Sequence, residues 1–263
     1  MIRHITGRRG RTVASKRDAI ADDIREAIAN GTYQPGDVLP DQPSMTRTYQ
    51  TSSVTVSAAM KILRDEGLLW RVANRGLIVQ DARPLYITLS AAAPPGNGRG
   101  PWETACHQTG RDGTMQLISV ERIPAEPDVA QALQLSKGAT VVQRVRHALV
   151  DGQAVMLDAA YYPLALVDGT PVAGSGKVDG GILAALIAAG VLDLATARVR
   201  ELIGARAATK AEAETLRLRP GVSVLTAERI TRDGEAQPVE LLHRVANARR
   251  IRFQSDDHPL RSV

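Results

Sequence analysis

The chain has 263 residues, 44% of them hydrophobic, enough to bury a real core in one large domain or two modest ones. No run of eighteen apolar residues occurs, and the basic N-terminus lacks an apolar h-region, so neither a membrane span nor a secretory signal is expected and the protein is placed in the cytoplasm. A single cysteine, Cys106, excludes an internal disulfide and a cysteine-based zinc cage; it is either a small buried side chain or a reactive thiol. The formal net charge of +5 is unevenly spread. Residues 1–17 hold Arg3, Arg8, Arg9, Arg11, Lys16 and Arg17 and no acid, whereas residues 18–80 hold six basic and eight acidic side chains. The basicity of the N-terminal region therefore comes from a leading arm, residues 1–14, which either tracks DNA phosphates or is a solvated tail.

Residues 15–30 place Ile20, Ile24, Ala27 and Ile28 at helical spacing, with Gly31 as the expected stop. In the following GTYQPGDVLP, Pro35-Gly36 predicts a turn and Pro40 the start of a short helix that carries Met45 and Tyr49 inward. Ser52 is the expected cap of a third helix, along which Val56, Ala59, Met60 and Leu63 share one side. The opposite side collects Val54, Thr55, Ser57, Ala58, Lys61 and Arg64, groups small or polar enough to enter a major groove. LLWRVANRGLIVQ, residues 68–80, then alternates around Ala73-Asn74 and predicts a hairpin. Three helices followed by a two-stranded ribbon is the winged helix-turn-helix plan, assigned to residues 15–80.

On these residues the chain resembles the GntR family of bacterial transcription regulators. The resemblance is carried by Gly31, Pro35-Gly36-Asp37, Leu39-Pro40, Thr55-Val56, Ala59, Leu63, Glu66-Gly67-Leu68, Arg75-Gly76 and Ile78-Val79. It implies a homodimer that reads a palindromic operator in double-stranded DNA, the third helix in the major groove and the wing in the minor groove. By position it puts Ser53, Thr55 and Ser57 at the DNA, Arg47 on the preceding helix, and Asn74, Arg75 and Gly76 at the wing tip. Ser53 and Ser57 stand where the family usually has arginine, and Asn74 where it has glycine. Val54 and Ala58 are then left to meet thymine methyl groups, with Lys61, Arg64, Arg75 and the arm supplying phosphate contacts.

Residues 81–101, rich in Ala, Pro and Gly, read as a linker, with Leu85–Leu89 able to pair as an edge strand. The rest, residues 102–263, contains an internal repeat. Ala130, Leu133, Leu135, Gly138, Val141 and Arg146 recur as Ala213, Leu216, Leu218, Gly221, Val224 and Arg229 at a constant offset of 83, and Asp151-Gly152 recurs as Asp233-Gly234. Each copy predicts a helix, a strand, an Asp-Gly hairpin turn and a return strand, so the pair predicts an antiparallel sheet with helices on one face. Between the copies, Gly180-Gly181 precedes ILAALIAAG, either a plain helix start or one whose free amides meet an anion.

Val129-Ala130, Arg144-x-Arg146, Asp151-Gly152, Tyr161-Tyr162-Pro163, Glu228-Arg229 and Asp233-Gly234 make this half similar to the UTRA domain of the HutC subfamily, whose fold is like that of chorismate lyase. The whole is thus expected to be α+β: a winged helix-turn-helix head and an antiparallel effector domain. The resemblance implies a small-molecule effector, an anionic metabolite, held by Arg144 and Arg146, with Asp158 and Glu228 accepting from its polar groups and Tyr161, Gly180 and Gly181 beside it. Residues i and i+2 of a strand share a face, so the two arginines either clamp an anion or form a salt-bridge ladder with Asp158 or Glu228. Trp102 either closes over the ligand or belongs to the core.

His107, His147 and His243 are scattered, and no nucleophile-elbow serine or metal-spaced histidine pair occurs, so no catalytic residue, metal or cofactor is expected. The expected function is a ligand-responsive repressor in which effector alters the placement of the two heads. A binding protein with weakened DNA affinity, and a lyase-like enzyme, are the alternatives.

Overall fold

The computed structural model describes residues 15–72, 74–81, 83–88, 100–219 and 221–255. The chain divides into two units, Met1–Ala82 and Arg83–Val263. The arm residues Arg3, Arg8, Arg9 and Arg11, together with Ala73, lie outside the described residues.

In the first unit the Ser15 side chain caps helix α1 (Lys16–Ala29), which buries Ile20, Ala21 and Ile24. Helix α2 (Gln42–Thr48) starts later than the Pro40 expected from the sequence. The Asp41 carboxylate accepts from the Ser44 amide at 2.9 Å and so takes the cap, with Pro43 inside the first turn. Met45 is buried, while the half-buried Tyr49 donates its hydroxyl to Asp23 at 2.6 Å. Helix α3 (Ser53–Asp65) begins after Ser52, whose hydroxyl accepts from the Thr55 amide, and it buries the expected stripe Val56, Ala59, Met60 and Leu63. Leu63 and Val56 are fully inaccessible and pack with Ile20, Ile24, Leu39, Leu69 and Val79 in one cluster. Arg25 on α1 reaches both carboxylate oxygens of Glu66, at 3.0 and 2.8 Å, and ties the first helix to the C-terminal end of the third.

Strands β1 (Leu69–Val72) and β2 (Gly76–Val79) form the expected antiparallel hairpin. Asn74 sits in its turn with φ of 62°, a left-handed conformation that asparagine tolerates better than most side chains, which is why it can stand in for glycine there. Val38 bridges to Ile78 and joins the segment before α2 to the ribbon.

In the second unit strand β3 (Leu85–Thr88) precedes helix α4 (Pro101–Gln108), strand β4 (Gly113–Pro124) and helix α5 (Pro127–Ala132). Strands β5 (Thr140–Val150) and β6 (Gln153–Pro163), helices α6 (Leu164–Val167) and α7 (Ile182–Ala188), and strand β7 (Arg198–Ala207) follow. Helix α8 (Lys210–Thr215), strands β8 (Ser223–Arg232) and β9 (Pro238–Asn247), and strand β10 (Ile251–Gln254) complete it. Six strands make one sheet in the order β4-β5-β6-β9-β8-β7, each antiparallel to its neighbours. The repeat is visible in that order: each copy gives a hairpin, β5-β6 and β8-β9, and the return strands β6 and β9 pair at the centre. Strand β3 pairs instead with β10, in parallel.

Two expectations need correction. Helices cover both faces, not one. Val129 and Leu133 of the α5 region pack with Val141, Ile230 and Leu241 on one face, and Ile182, Ala185 and Leu186 of α7 pack with Val142, Ala160, Tyr162 and Leu242 on the other. Strand residues one position apart point to opposite faces, and both stripes are apolar, so both must be buried. The two Asp-Gly turns also differ. Asp151 and Gly152 make a two-residue turn with φ of 51° and 77°. Asp233 instead opens a longer loop in which its carboxylate accepts from the amides of Glu235 and Gln237, and Ala236 takes the left-handed position with φ of 65°.

Helix α4 lies so close to the start of β4 that a Cβ on Gly113 would fall 2.4 Å from the Cys106 side chain. Cys106 is inaccessible, and burial pushes its thiol up to about 12, so it is a packed core group with no reactive thiolate.

Replacing Leu63 with alanine is expected to destabilise the chain by about 2–5 kcal/mol in urea unfolding followed by far-UV circular dichroism. Val54, 75% exposed on the same helix, should give a change within about 0.5 kcal/mol on the same substitution.

Candidate functional site

On the first unit the residues opposite the buried stripe of α3 form an open surface. Ser53, Val54, Ser57, Lys61 and Arg64 are exposed, Thr55 and Ala58 half-buried, and Arg47, Asn74, Arg75 and Gly76 exposed on α2 and at the hairpin tip. Lys61 is engaged by Asp65 one turn on, at 2.8 Å, and Arg47 donates to Ser44 at 3.2 Å. Lys61 is therefore a weaker candidate for phosphate contact than its position suggested, since the neighbouring carboxylate offsets its charge.

On the second unit the structure divides the sequence-predicted effector residues. Arg144, Arg146 and Asp158 share one face of the sheet: Arg146 stands opposite Asp158 and Arg144 opposite Ala160. Tyr161 and Glu228 belong to the other face. Tyr161 lies an odd number of residues from Asp158, and Glu228 pairs in register with His243, next to the Arg244 that pairs with Asp158. There Tyr161 meets the His243 ring edge-on at 5.6 Å, and His243 lies 3.7 Å from Glu228. Glu228 and His243 line an open cavity of about 450 Å³ with Leu202, Gly204, Thr226, Val245 and also Arg244. Tyr161 and Glu228 therefore stand on the opposite face of the sheet from Arg144 and Arg146.

Arg144 is also committed. It is 1% exposed, and its guanidinium donates to the carbonyls of Val172 (2.9 Å), Gly174 (2.7 Å) and Gly176 (2.8 Å), so it staples the segment after α6 over the sheet. Trp102 is 4% exposed, donates its indole N–H to the Leu149 carbonyl at 3.0 Å, and is a core residue. Gly180 and Gly181, with φ of 74° and 88°, lead into α7 on the arginine-bearing face.

Residues not singled out from the sequence complete that face. Asp158, 2% exposed, accepts two bonds from Arg244, at 2.8 and 2.9 Å, with Arg146 at 3.6 Å. Glu240, 4% exposed, accepts from Tyr162 (2.7 Å), Arg229 (2.8 Å) and Thr231 (3.0 Å). Burial alone pushes both carboxyls up, but it is outweighed. Arg244, Arg146 and Arg229 hold Asp158 below its ordinary value, and Arg229, with the Tyr162 hydrogen bond, does the same for Glu240. Burial, and then the charge of Glu240, push the Tyr162 phenol well up, so it stays a neutral donor.

The two centres are not register equivalents of one another. Arg146 and Arg229 differ by the offset of 83, but Arg146 pairs with Asp158 whereas Arg229 pairs with Leu242 and Glu240 with Thr231, because the longer loop after Asp233 shifts the return strand. The repeat offset therefore does not lead from Asp158 to Glu240, and the parts of Arg244 and Tyr162 depend on how β6 and β9 pair.

Four guanidiniums, Arg144, Arg146, Arg229 and Arg244, thus face two carboxylates on a largely covered surface. Glu201, opposite Arg229 in the register of β7 and β8, still leaves the sum positive. The Nε atoms of Arg144, Arg146 and Arg229 are buried with no hydrogen-bond partner. A buried donor left without a partner is costly.

Comparison with known proteins follows the same division. Residues 16–79 match the bacterial regulatory proteins of the gntR family, and residues 108–252 match the UTRA domain. An HTH-type transcriptional regulator of Streptomyces coelicolor is 31% identical over 237 residues, covering 86% of this chain and 87% of that protein. The mannosyl-D-glycerate transport/metabolism system repressor of Escherichia coli is 30% identical over 149 residues, 56% of this chain and 58% of that one. A crystal structure of a GntR-family transcriptional regulator superposes with a TM-score of 0.58 at 27% identity, covering 94% of this chain and 98% of that chain.

Asp158→Asn should lower the unfolding free energy by about 3–5 kcal/mol at pH 7 in urea titration, because it leaves two buried guanidiniums without their counter-charge. Both carboxyls are depressed in the folded state, so their stabilisation is complete above the ordinary carboxylate pKa of about 4 and is lost as pH falls through the folded values. Wild-type stability should therefore fall more steeply below about pH 4 than that of Asp158→Asn, read by circular dichroism during acid titration.

Proposed function

The chain belongs to the gntR family of bacterial regulatory proteins and carries a UTRA domain, and from that premise we propose a homodimeric repressor that leaves a palindromic operator when a small anion enters the effector unit. It is a transcriptional regulator by family. The observation that supports an anionic effector is the positive surplus on one sheet face, with three buried Nε atoms of Arg144, Arg146 and Arg229 lacking partners. A phosphate or carboxylate accepts two parallel bonds from a guanidinium and would supply both the charge and the acceptors.

Arg146 is the best placed of the four to meet it. Arg244 already spends two donors on Asp158, Arg229 is engaged by Glu240, and Arg144 by three carbonyls, whereas Arg146 stands 3.6 Å from Asp158, beyond hydrogen-bond distance. Gly180 and Gly181 border the same face. Effector binding and DNA binding are then linked: an effector that binds the DNA-free form more tightly lowers operator affinity by the same factor. Repression is supported by the relative named as a repressor. On the DNA side Ser53, Val54, Thr55, Ser57 and Ala58 face the major groove, and Arg47, Arg64 and Arg75 take phosphates. Acting on DNA, the protein would work in the cytoplasm.

A thermal-shift screen of the whole chain against sugar phosphates, carboxylic acids and neutral sugars should single out anions, and the same compounds should release the chain from its upstream DNA in a mobility-shift assay. Arg146→Ala should keep DNA binding and lose at least tenfold in effector response, about 1.4 kcal/mol. Stabilisation by neutral compounds alone, or an unaltered response in Arg146→Ala, would contradict the site. Absence of any sequence-specific shift at moderate salt would favour a binding protein without operator recognition.

A further inference from the structure

Gln42 opens α2 immediately after the capping Asp41 and is exposed. Its side chain crosses to α3, where Nε2 lies 2.9 Å from the Ser53 carbonyl oxygen and 2.8 Å from Ser57 Oγ. A backbone carbonyl can only accept, so the nitrogen of the amide must face α3 and its oxygen must point away. The contact itself settles which end of the carboxamide is which.

That orientation has a consequence for Ser57. A helical serine commonly turns its hydroxyl back to the carbonyl four residues earlier, which here is that of Ser53. The two lone pairs of that carbonyl are taken by the helical amide of Ser57 and by Gln42, which also donates to Ser57 Oγ, so the Ser57 proton is left to donate outward. The surface of α3 therefore carries an acceptor, Gln42 Oε1, beside a donor, the Ser57 hydroxyl. Val54, three residues before Ser57 and so its neighbour on the helix, adds an apolar group that is 75% exposed.

An A·T pair shows, in a row along the major groove, an amine donor, a carbonyl acceptor and the thymine methyl. A G·C pair also sets a donor beside an acceptor but has no methyl. We propose that Gln42, Ser57 and Val54 together read one A·T base pair in each half-site: Gln42 accepts from the adenine amine, Ser57 donates to thymine O4, and Val54 covers the methyl. Gln42 is at once a base contact and the positioning residue for Ser57. This rests on the DNA-binding reading above, and it assigns sequence discrimination to a helix face that lacks a cation at positions 53 and 57.

The test is selection of binding sites from a randomised duplex library by the full-length protein, followed by affinity measurements on the enriched sequence. Wild type should require A·T at one position per half-site, losing roughly tenfold or more on change to G·C. Gln42→Met keeps the length of the side chain and removes both donor and acceptor; it and Ser57→Ala should flatten the preference at that position alone, with circular dichroism unchanged. Deoxyuridine in place of thymine removes only the methyl, and should weaken wild type while leaving Val54→Ala unaffected. A selected sequence whose preferences survive Gln42→Met and Ser57→Ala, or one that requires G·C where these variants act, overturns this proposal alone. A wild type that enriches no sequence overturns the DNA-binding reading and this proposal with it.

Discussion

Two carboxylates buried at the centre of a β-sheet, Asp158 and Glu240, govern the effector unit. Neither can be ionised there without cationic partners, and each is supplied from its own repeat, Arg146 for one and Arg229 for the other. The pairing of β6 with β9 then adds a partner from the opposite repeat, Arg244 on Asp158 and Tyr162 on Glu240. The seam between the repeats is thus held by reciprocal polar bonds as well as by backbone pairing. With Arg144 pinned beneath the carbonyls of residues 172–176, the same face carries more cation than anion, and the proposed anion site rests on that imbalance.

The first unit separates its two tasks by helix face. The buried side of α3 is set by Val56, Ala59, Met60 and Leu63 and fixes the helix against α1 and α2. The exposed side carries no cation at positions 53 and 57, yet it is not featureless, because Gln42 from α2 orders the serine hydroxyl. On the DNA-binding reading proposed above, affinity comes from groups that meet phosphate, such as Arg64 and Arg75, and discrimination from hydrogen bonds and methyl contact.

What was legible in the sequence follows from period and local chemistry. The helical stripe of α3, its Ser52 cap, the hairpin at Asn74 and the repeat each need only residues close in sequence, or two copies to compare. The face assignment of Tyr161 and Glu228 was legible too, since alternation along a strand separates Tyr161 from Asp158 and Glu228 from Arg229. Other features depend on long-range register or on loops. The carbonyls that occupy Arg144 lie 28 to 32 residues away, Arg244 reaches Asp158 only because β6 and β9 pair as they do, and Trp102 finds its acceptor on Leu149. The capping of α2 by Asp41 was missed for a different reason. Pro40 and Pro43 both suit a helix start, and only the side-chain hydrogen bond to Ser44 decides between them.

The most direct measurement is 15N NMR of the arginine Nε–H groups, with the anion that most stabilises the chain added to saturation. New hydrogen bonds from Arg146 and its neighbours Arg144 and Arg229 should shift their Nε–H resonances and slow their exchange with solvent, while an arginine of the exposed head such as Arg75 stays unmoved. Saturating anion that leaves all three buried resonances where they were would contradict an anion site on this face of the sheet.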